Sequence, residues 1–179
     1  MNRKPRLLAS QGDPELALVH LLQWGDDPRA RVETVDSIDP RYPRRDKSCI
    51  IISTQLGCAV GCLMCDASGA FHGNLTAEQI LDQVRFVLAQ RPELLQTAKL
   101  KVHFARMGEP AHNAAAVLEA LEALPEVLPA PGLMPALATV APAGSQAFLT
   151  SLGRIKDRLY SGGRFQLQLS LNSTDPEVR

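Results

Sequence analysis

The sequence predicts an α/β fold, a partial (βα) barrel of only about four βα units, and three observations carry that expectation. From residue 49 onward, β-branched apolar runs alternate with segments whose apolar residues recur at helical spacing, as parallel strands joined by crossover helices require. Gly and Pro punctuate the joins. The last strand alternates strictly, Phe165, Leu167, Leu169 and Leu171 against Gln166, Gln168, Ser170 and Asn172. Alternation of that kind puts one apolar face under helices and one polar face either toward a ligand-holding lumen or, in a half-exposed strand, toward water.

The elements follow in chain order. Residues 1–31 are set apart as an N-terminal helical extension, on the strength of the apolar stretch Leu16 to Leu22, and residues 32–179 form the core. The first core strand is 49–56, leading into a cysteine-rich loop. Thr76 then caps a helix, with Gln79 three residues later completing a capping box and Ile80, Val84, Val87 and Leu88 on its apolar stripe. Pro92 ends it. The second strand is 100–105. Asn113 caps a second helix carrying Val117, Leu118, Leu121 and Leu124, with Pro125 as its stop. The third strand covers about 134–140, and Ser145 caps a third helix bearing Phe148, Leu149, Leu152, Ile155 and Leu159. Gly162 and Gly163 turn the chain into the fourth strand.

Composition bounds the function classes. The chain has 179 residues, 45% of them hydrophobic, enough for one buried core. Its 19 basic and 19 acidic residues cancel, so there is no global electrostatic footprint for nucleic acid, and DNA is not expected as a partner. The basic clusters Arg41, Arg44, Arg45, Lys47 and Arg154, Lys156, Arg158, Arg164 read as solvated surface. The longest uncharged stretch, 127–153, contains four prolines and is no membrane helix. Leu7, Leu8 and Ala9 are too short for the apolar core of a signal peptide, which places the protein in the reducing cytoplasm.

The chemistry concentrates in Cys58, Cys62 and Cys65, a C-x3-C-x2-C run. Three thiolates on one tight loop suit three corners of a cubane iron–sulfur cluster, leaving one iron open to a ligand that is not protein. Gly57 and Gly61 supply the curl. A zinc site is usually two C-x2-C pairs or a Cys/His quartet, and only Cys49 or His72 is available as a fourth ligand. Cysteines this close make poor disulfide partners. Cys49, inside a strand, reads as a buried structural thiol. After the second strand comes Arg106-Met107-Gly108-Glu109-Pro110, where glycine allows close approach of a ligand and a carboxylate can accept from an ammonium group. The cysteine loop, this turn and Ser170-Leu171-Asn172 all fall at C-terminal strand ends, where barrel sites are built.

The three-plus-two spacing resembles the signature of radical S-adenosylmethionine enzymes. Further phrases occur in one order: Val32-Glu33-Thr34-Val35, Gln55-Leu56-Gly57-Cys58, Asn74-Leu75-Thr76, Met107-Gly108-Glu109-Pro110, and Ser170-Leu171-Asn172 leading to Asp175-Pro176-Glu177-Val178-Arg179. Over residues 32–179 the chain is similar to the branch containing the ribosomal RNA adenine methyltransferases that act at C2 or C8. That resemblance implies a [4Fe-4S] cluster on Cys58, Cys62 and Cys65, with S-adenosyl-L-methionine chelating the fourth iron. It implies cofactor contacts from Gly108, Glu109, Thr139, Ser170 and Asn172, with Met64 against the adenine. It also implies a one-electron donor such as flavodoxin or ferredoxin, an RNA substrate, and reductive cleavage of the cofactor to a 5′-deoxyadenosyl radical that abstracts hydrogen.

The departures shape the alternatives. A catalytic cysteine expected seven residues before the first cluster ligand is Ile51 here, and Arg106 replaces a small residue. A radical enzyme acting on a non-RNA substrate therefore stands beside the RNA-directed reading, as does a non-catalytic metal-binding fragment. Asp175-Pro176 opens a helix that the sequence does not complete, and the resemblance implies a core of six units where about four strands stand, so a truncated chain is expected.

Overall fold

The computed structural model describes residues 4–68, 70–171 and 173–175. Nine strands and three α-helices occur among them: β1 (Arg6–Asp13), β2 (Ala17–Gln23), β3 (Arg31–Ile38), β4 (Lys47–Ile52), β5 (Gln55–Leu56), β6 (Gly73–Asn74), α1 (Ala77–Gln90), β7 (Lys99–Phe104), α2 (Ala114–Val127), β8 (Leu133–Thr139), α3 (Gln146–Leu159) and β9 (Gln166–Leu169). Seven strands form one mixed sheet in the order β1-β2-β3-β4-β7-β8-β9. The first three pairings are antiparallel, and β4, β7, β8 and β9 run parallel. No closed barrel forms among the described residues.

Residues 6–23 are a β-hairpin, not the expected helical extension, and they join the same sheet as the core. An apolar run as short as Ala17 to Leu22 fits either element, and the turn decides. Leu16 N–H bonds the Asp13 carbonyl and Glu15 N–H the Asp13 carboxylate, folding Asp13-Pro14 into a corner. His20 and Leu22 then point to the covered face, buried at 5% and 0% exposure.

One face of the sheet is apolar and lies under the helices. Ile50 and Ile52, Leu100, Val102 and Phe104, and Leu137 pack against Ile80, Val84 and Val87 of α1, Val117, Leu121 and Leu124 of α2, and Phe148, Leu152 and Ile155 of α3. The capping box at Thr76 and Gln79 is present on both arms. Pro125 does not stop α2, which continues to Val127. Proline removes the N–H that would bond the carbonyl four residues back. Here the Tyr160 hydroxyl donates to that Leu121 carbonyl instead, at 2.5 Å. Asn113 and Ser145 precede their helices but make no side-chain cap: the Asn113 amide donates to the Thr54 and Leu75 carbonyls, and Ser145 Oγ donates to Pro142 O.

The fourth core strand departs from expectation in its packing. Leu167, Leu169 and Leu171 are 44%, 62% and 68% exposed, because β9 is the edge of the sheet and no described element covers its apolar row. Its polar row is the better covered: Gln166 accepts from Lys101 Nζ at 2.7 Å, and Gln168 pairs with His103, both reaching across β8 on the sheet face opposite the helices. No described helix is long and apolar enough to cross a membrane.

The basic clusters are mostly solvated, Arg41, Arg45 and Arg158 being exposed, while Arg44 turns inward. Asp36, 2% exposed, is clamped between Arg44 and Arg91, while Arg41 and Lys47 share Asp39. Arg158 pairs with Glu122.

Candidate functional site

A cavity of about 230 Å³ opens at the C-terminal ends of the parallel strands. Its wall brings together Cys58, Cys62 and Cys65, Met64, Gly108 and Glu109, Thr139 and Ser170, residues the sequence spreads over 113 positions. Asn172 lies outside the described residues.

The cysteine loop is an excursion from a short base. After β4 ends at Ile52, β5 pairs with β6, joining Gln55 to Asn74 and Leu56 to Gly73, so residues 57–72 leave and return at one point. His72 N–H closes on the Leu56 carbonyl, and Cys65 N–H on the Cys62 carbonyl. Gly57 has φ +78°, and a Cβ there would collide with the Ala70 carbonyl. Gly61 has φ +80° with open space around it, so only its backbone conformation calls for glycine. Cys65, Met64 and Leu63 are exposed, and Cys58 and Cys62 are half-buried.

Three polar side chains hold this base in place, in roles that sequence reading did not assign to them. Gln55, fully buried, donates to Asn74 Oδ1 at 2.7 Å and accepts from the Glu109 N–H at 3.0 Å, tying the loop to the Gly-Glu turn. Gln83 of α1 pairs with both backbone groups of Ser53. Asn113 bridges Thr54 and Leu75. A buried glutamine in a strand end and another on an apolar helix stripe are the signals that point to them.

Gly108 lines the cavity and also packs closely on Gln55. Its φ is +97°, and a Cβ would sit 2.5–2.7 Å from three atoms of Gln55. Glu109, 4% exposed, accepts from Thr139 Oγ1 and Ala111 N–H on one oxygen and from Val140 N–H on the other, the last two at 2.9 Å. A carboxylate offers about four acceptor positions, so one remains, beside the cavity. Thr139 also accepts from Ala141 N–H, and Ala141 holds the left-handed φ of +48°, strained for a residue with a side chain. Ser170 is fixed by its N–H to the Thr139 carbonyl.

The electrostatics favour a cation in this cavity. Burial raises the Cys58 thiol; a backbone hydrogen bond from Val60 partly offsets it, and Cys65, Cys62 and Glu109 raise it further. No basic side chain is among the described residues of the wall. A bound metal reverses such a balance by deprotonating its thiols. Among the described residues, no three His, Cys, Asp or Glu groups converge tightly enough for one metal ion. Three thiols on one loop in the C-x3-C-x2-C spacing are a donor set that suits three irons of a cluster.

The remaining candidates lie off the cavity. Ile51 faces the open side of the sheet between Val35 and His103. Cys49 sits one pleat behind it, its thiol pushed up to about 11 by burial. His72 is exposed and does not line the wall. Burial lowers His103, and its Nε2 has no hydrogen-bond partner among the described residues. Arg106 forms an ion pair with Glu33.

Comparison with known proteins adds relatives over most of the chain. No protein-family model matches. The dual-specificity RNA methyltransferase RlmN of Syntrophotalea carbinolica is 36% identical over 152 residues, which are 82% of this chain and 36% of that protein. A probable dual-specificity RNA methyltransferase RlmN of Mycobacterium marinum is 34% identical over 148 residues, 82% of this chain and 38% of its own. The chain thus spans little more than a third of the length of these curated relatives. Among solved structures, a radical SAM methyltransferase from Sphaerobacter thermophilus superposes with a TM-score of 0.63 at 26% identity, over 76% of this chain and 39% of that one.

Proposed function

From the premise that this chain is homologous to RlmN-type RNA methyltransferases and shares the fold of a radical SAM methyltransferase, we propose that it is the core of an iron–sulfur radical S-adenosylmethionine enzyme acting on RNA, its sheet one arc of a (βα) barrel. The observation that carries this reading is the single cavity shared by Cys58, Cys62, Cys65, Glu109, Thr139 and Ser170.

A cluster held here would supply one electron to the sulfonium of S-adenosylmethionine, the chemistry that makes hydrogen abstraction possible. The chain's own residues bind and orient. Cys58, Cys62 and Cys65 would hold three irons, and Glu109 would offer its remaining acceptor position to the cofactor's amino group. Thr139 and the Val140 N–H fix that carboxylate in place. Met64 would lay its thioether on the adenine, and Ser170, together with the Asn172 that the resemblance assigns, would contact the cofactor. The electron would come from a small donor such as flavodoxin or ferredoxin in a reducing cytoplasm.

Methyl transfer is the activity in the relatives' names, and Ile51 argues for stopping at hydrogen abstraction. An isoleucine supplies no nucleophile, and a thiol pushed up to about 11 at Cys49 is almost wholly protonated near neutrality. The same observation favours, as a second reading, a substrate other than RNA. The test is anaerobic turnover with dithionite, following 5′-deoxyadenosine with and without RNA. Release that scales with protein and disappears in Cys62→Ala supports the enzyme. No release from a cluster-loaded sample sinks it and leaves a metal-binding fragment.

A further inference from the structure

A second cavity, of about 410 Å³, lies beside the first, on the sheet face away from the helices. Its wall is Ala9, Val19 and Leu21, with Gln11 at one side and the Glu33–Arg106 ion pair at the other. Size and lining are those of a small-molecule site, apolar with a few placed polar groups. The pairings Ala9 with Leu21, Gln11 with Val19, and Leu21 with Glu33 show that the wall is one continuous face of β1, β2 and β3. The turn 105–108 contributes to both cavities, for Ala105 and Gly108 line the first and Arg106 the second.

The ion pair is held in position by its backbone. Ser53 Oγ donates to the Glu33 carbonyl at 2.6 Å and accepts from Met107 N–H at 3.2 Å, locking β3 to the turn that carries Arg106. Both side chains are about 40% exposed, 42% for Arg106 and 36% for Glu33, and a pair so exposed adds little to stability. A guanidinium carries five N–H donors, of which one carboxylate fork uses two. At least three remain for a second anion, at the mouth of an apolar groove.

We propose that this groove is a nucleotide subsite, in which Arg106 forks a phosphate, the Ala9–Val19–Leu21 wall carries the base, and the Gln11 amide meets its edge. The choice of a nucleotide rests on the RNA-directed reading above; the groove and its ion pair do not. The phosphate takes the donors that Glu33 leaves free, and the Glu33 carboxylate beside it weakens that binding by repulsion. The phosphate belongs either to a free nucleotide or to a strand, and the chemistry at Arg106 is the same.

The test is calorimetric titration of the full chain, without cluster, with AMP, adenosine and a short single-stranded oligoadenylate. AMP is expected to bind about tenfold more tightly than adenosine, from one charge-assisted contact. Arg106→Gln should remove that factor, Glu33→Gln should tighten AMP several-fold, and Val19→Trp should block it, all with melting temperatures near that of the parent chain. Oligoadenylate binding tighter than AMP, with the same response to the variants, assigns the phosphate to a strand; the reverse order assigns it to a free nucleotide. Unchanged affinities in Arg106→Gln and Val19→Trp, or no binding of any of the three ligands, overturn the subsite. Because the titration is run without cluster, its failure is distinguishable from failure of the cluster reading, which iron–sulfide reconstitution tests by itself.

Discussion

At Gly108 the backbone takes a conformation that only glycine adopts cheaply, and Gln55 occupies the space a side chain would need. Gly108→Ala should therefore cost about 2–4 kcal/mol, combining strain with overpacking, as urea unfolding would measure. It should also displace Glu109, and a variant of parental stability would show the turn to be slack. Cys49 gives a prediction in pH. Its folded thiol stays protonated up to about 11, above the unfolded value, so the native state holds the extra proton. Its contribution to stability is full at neutral pH and is lost as pH rises through the window between the unfolded value and about 11. Alkylation mapped by mass spectrometry near pH 8 should label Cys65 well before Cys49; equal labelling would contradict the burial argument. The cysteine triad, Glu109 and Ser170 were legible in the sequence because each lies in a short motif at a strand end. Gln55, Gln83 and Asn113 were not, since their roles are contacts across 19 to 59 positions that no local pattern encodes.

Among the elements, the long periodic helices and the parallel strands could be read from spacing, because 14-residue apolar stripes and β-branched runs are unambiguous. The hairpin of β1 and β2 could not, since seven residues of apolar sequence fit helix or strand and only the Asp13-Pro14 corner distinguishes them. Pro125 shows a tertiary contact overriding a local rule: Tyr160 satisfies the carbonyl that proline strands, so α2 gains another half turn. Tyr160→Phe should cost about 1–3 kcal/mol by leaving the Leu121 carbonyl buried without its partner. A thermal melt reads this directly, and no loss would mean that the helix end does not depend on the hydroxyl. For the cysteine loop, Gln55→Leu should loosen the β5–β6 base and lower iron retained after gel filtration, while Leu63→Ala, at a fully exposed position of the same loop, should not.

On the scale of the molecule, the sheet covers its apolar face with three helices but leaves the row Leu167, Leu169 and Leu171 open along the edge strand. Exposed apolar edges invite pairing with another chain. The isolated chain should self-associate, and Leu169→Lys should reduce that association in sedimentation velocity. A monomer at all concentrations would contradict this expectation. The strict alternation in β9 was plain in the sequence, whereas its exposure was not, because what covers a face is a property of the whole sheet. The central claim is that the cavity at the strand ends holds a cluster with one iron open to the cofactor. Anaerobic reconstitution with iron and sulfide, followed by electron paramagnetic resonance of the reduced protein with and without S-adenosylmethionine, tests it most directly. A four-iron signal whose shape changes when the cofactor is added is expected. A protein that binds a single zinc, or a cluster signal indifferent to the cofactor, would contradict it.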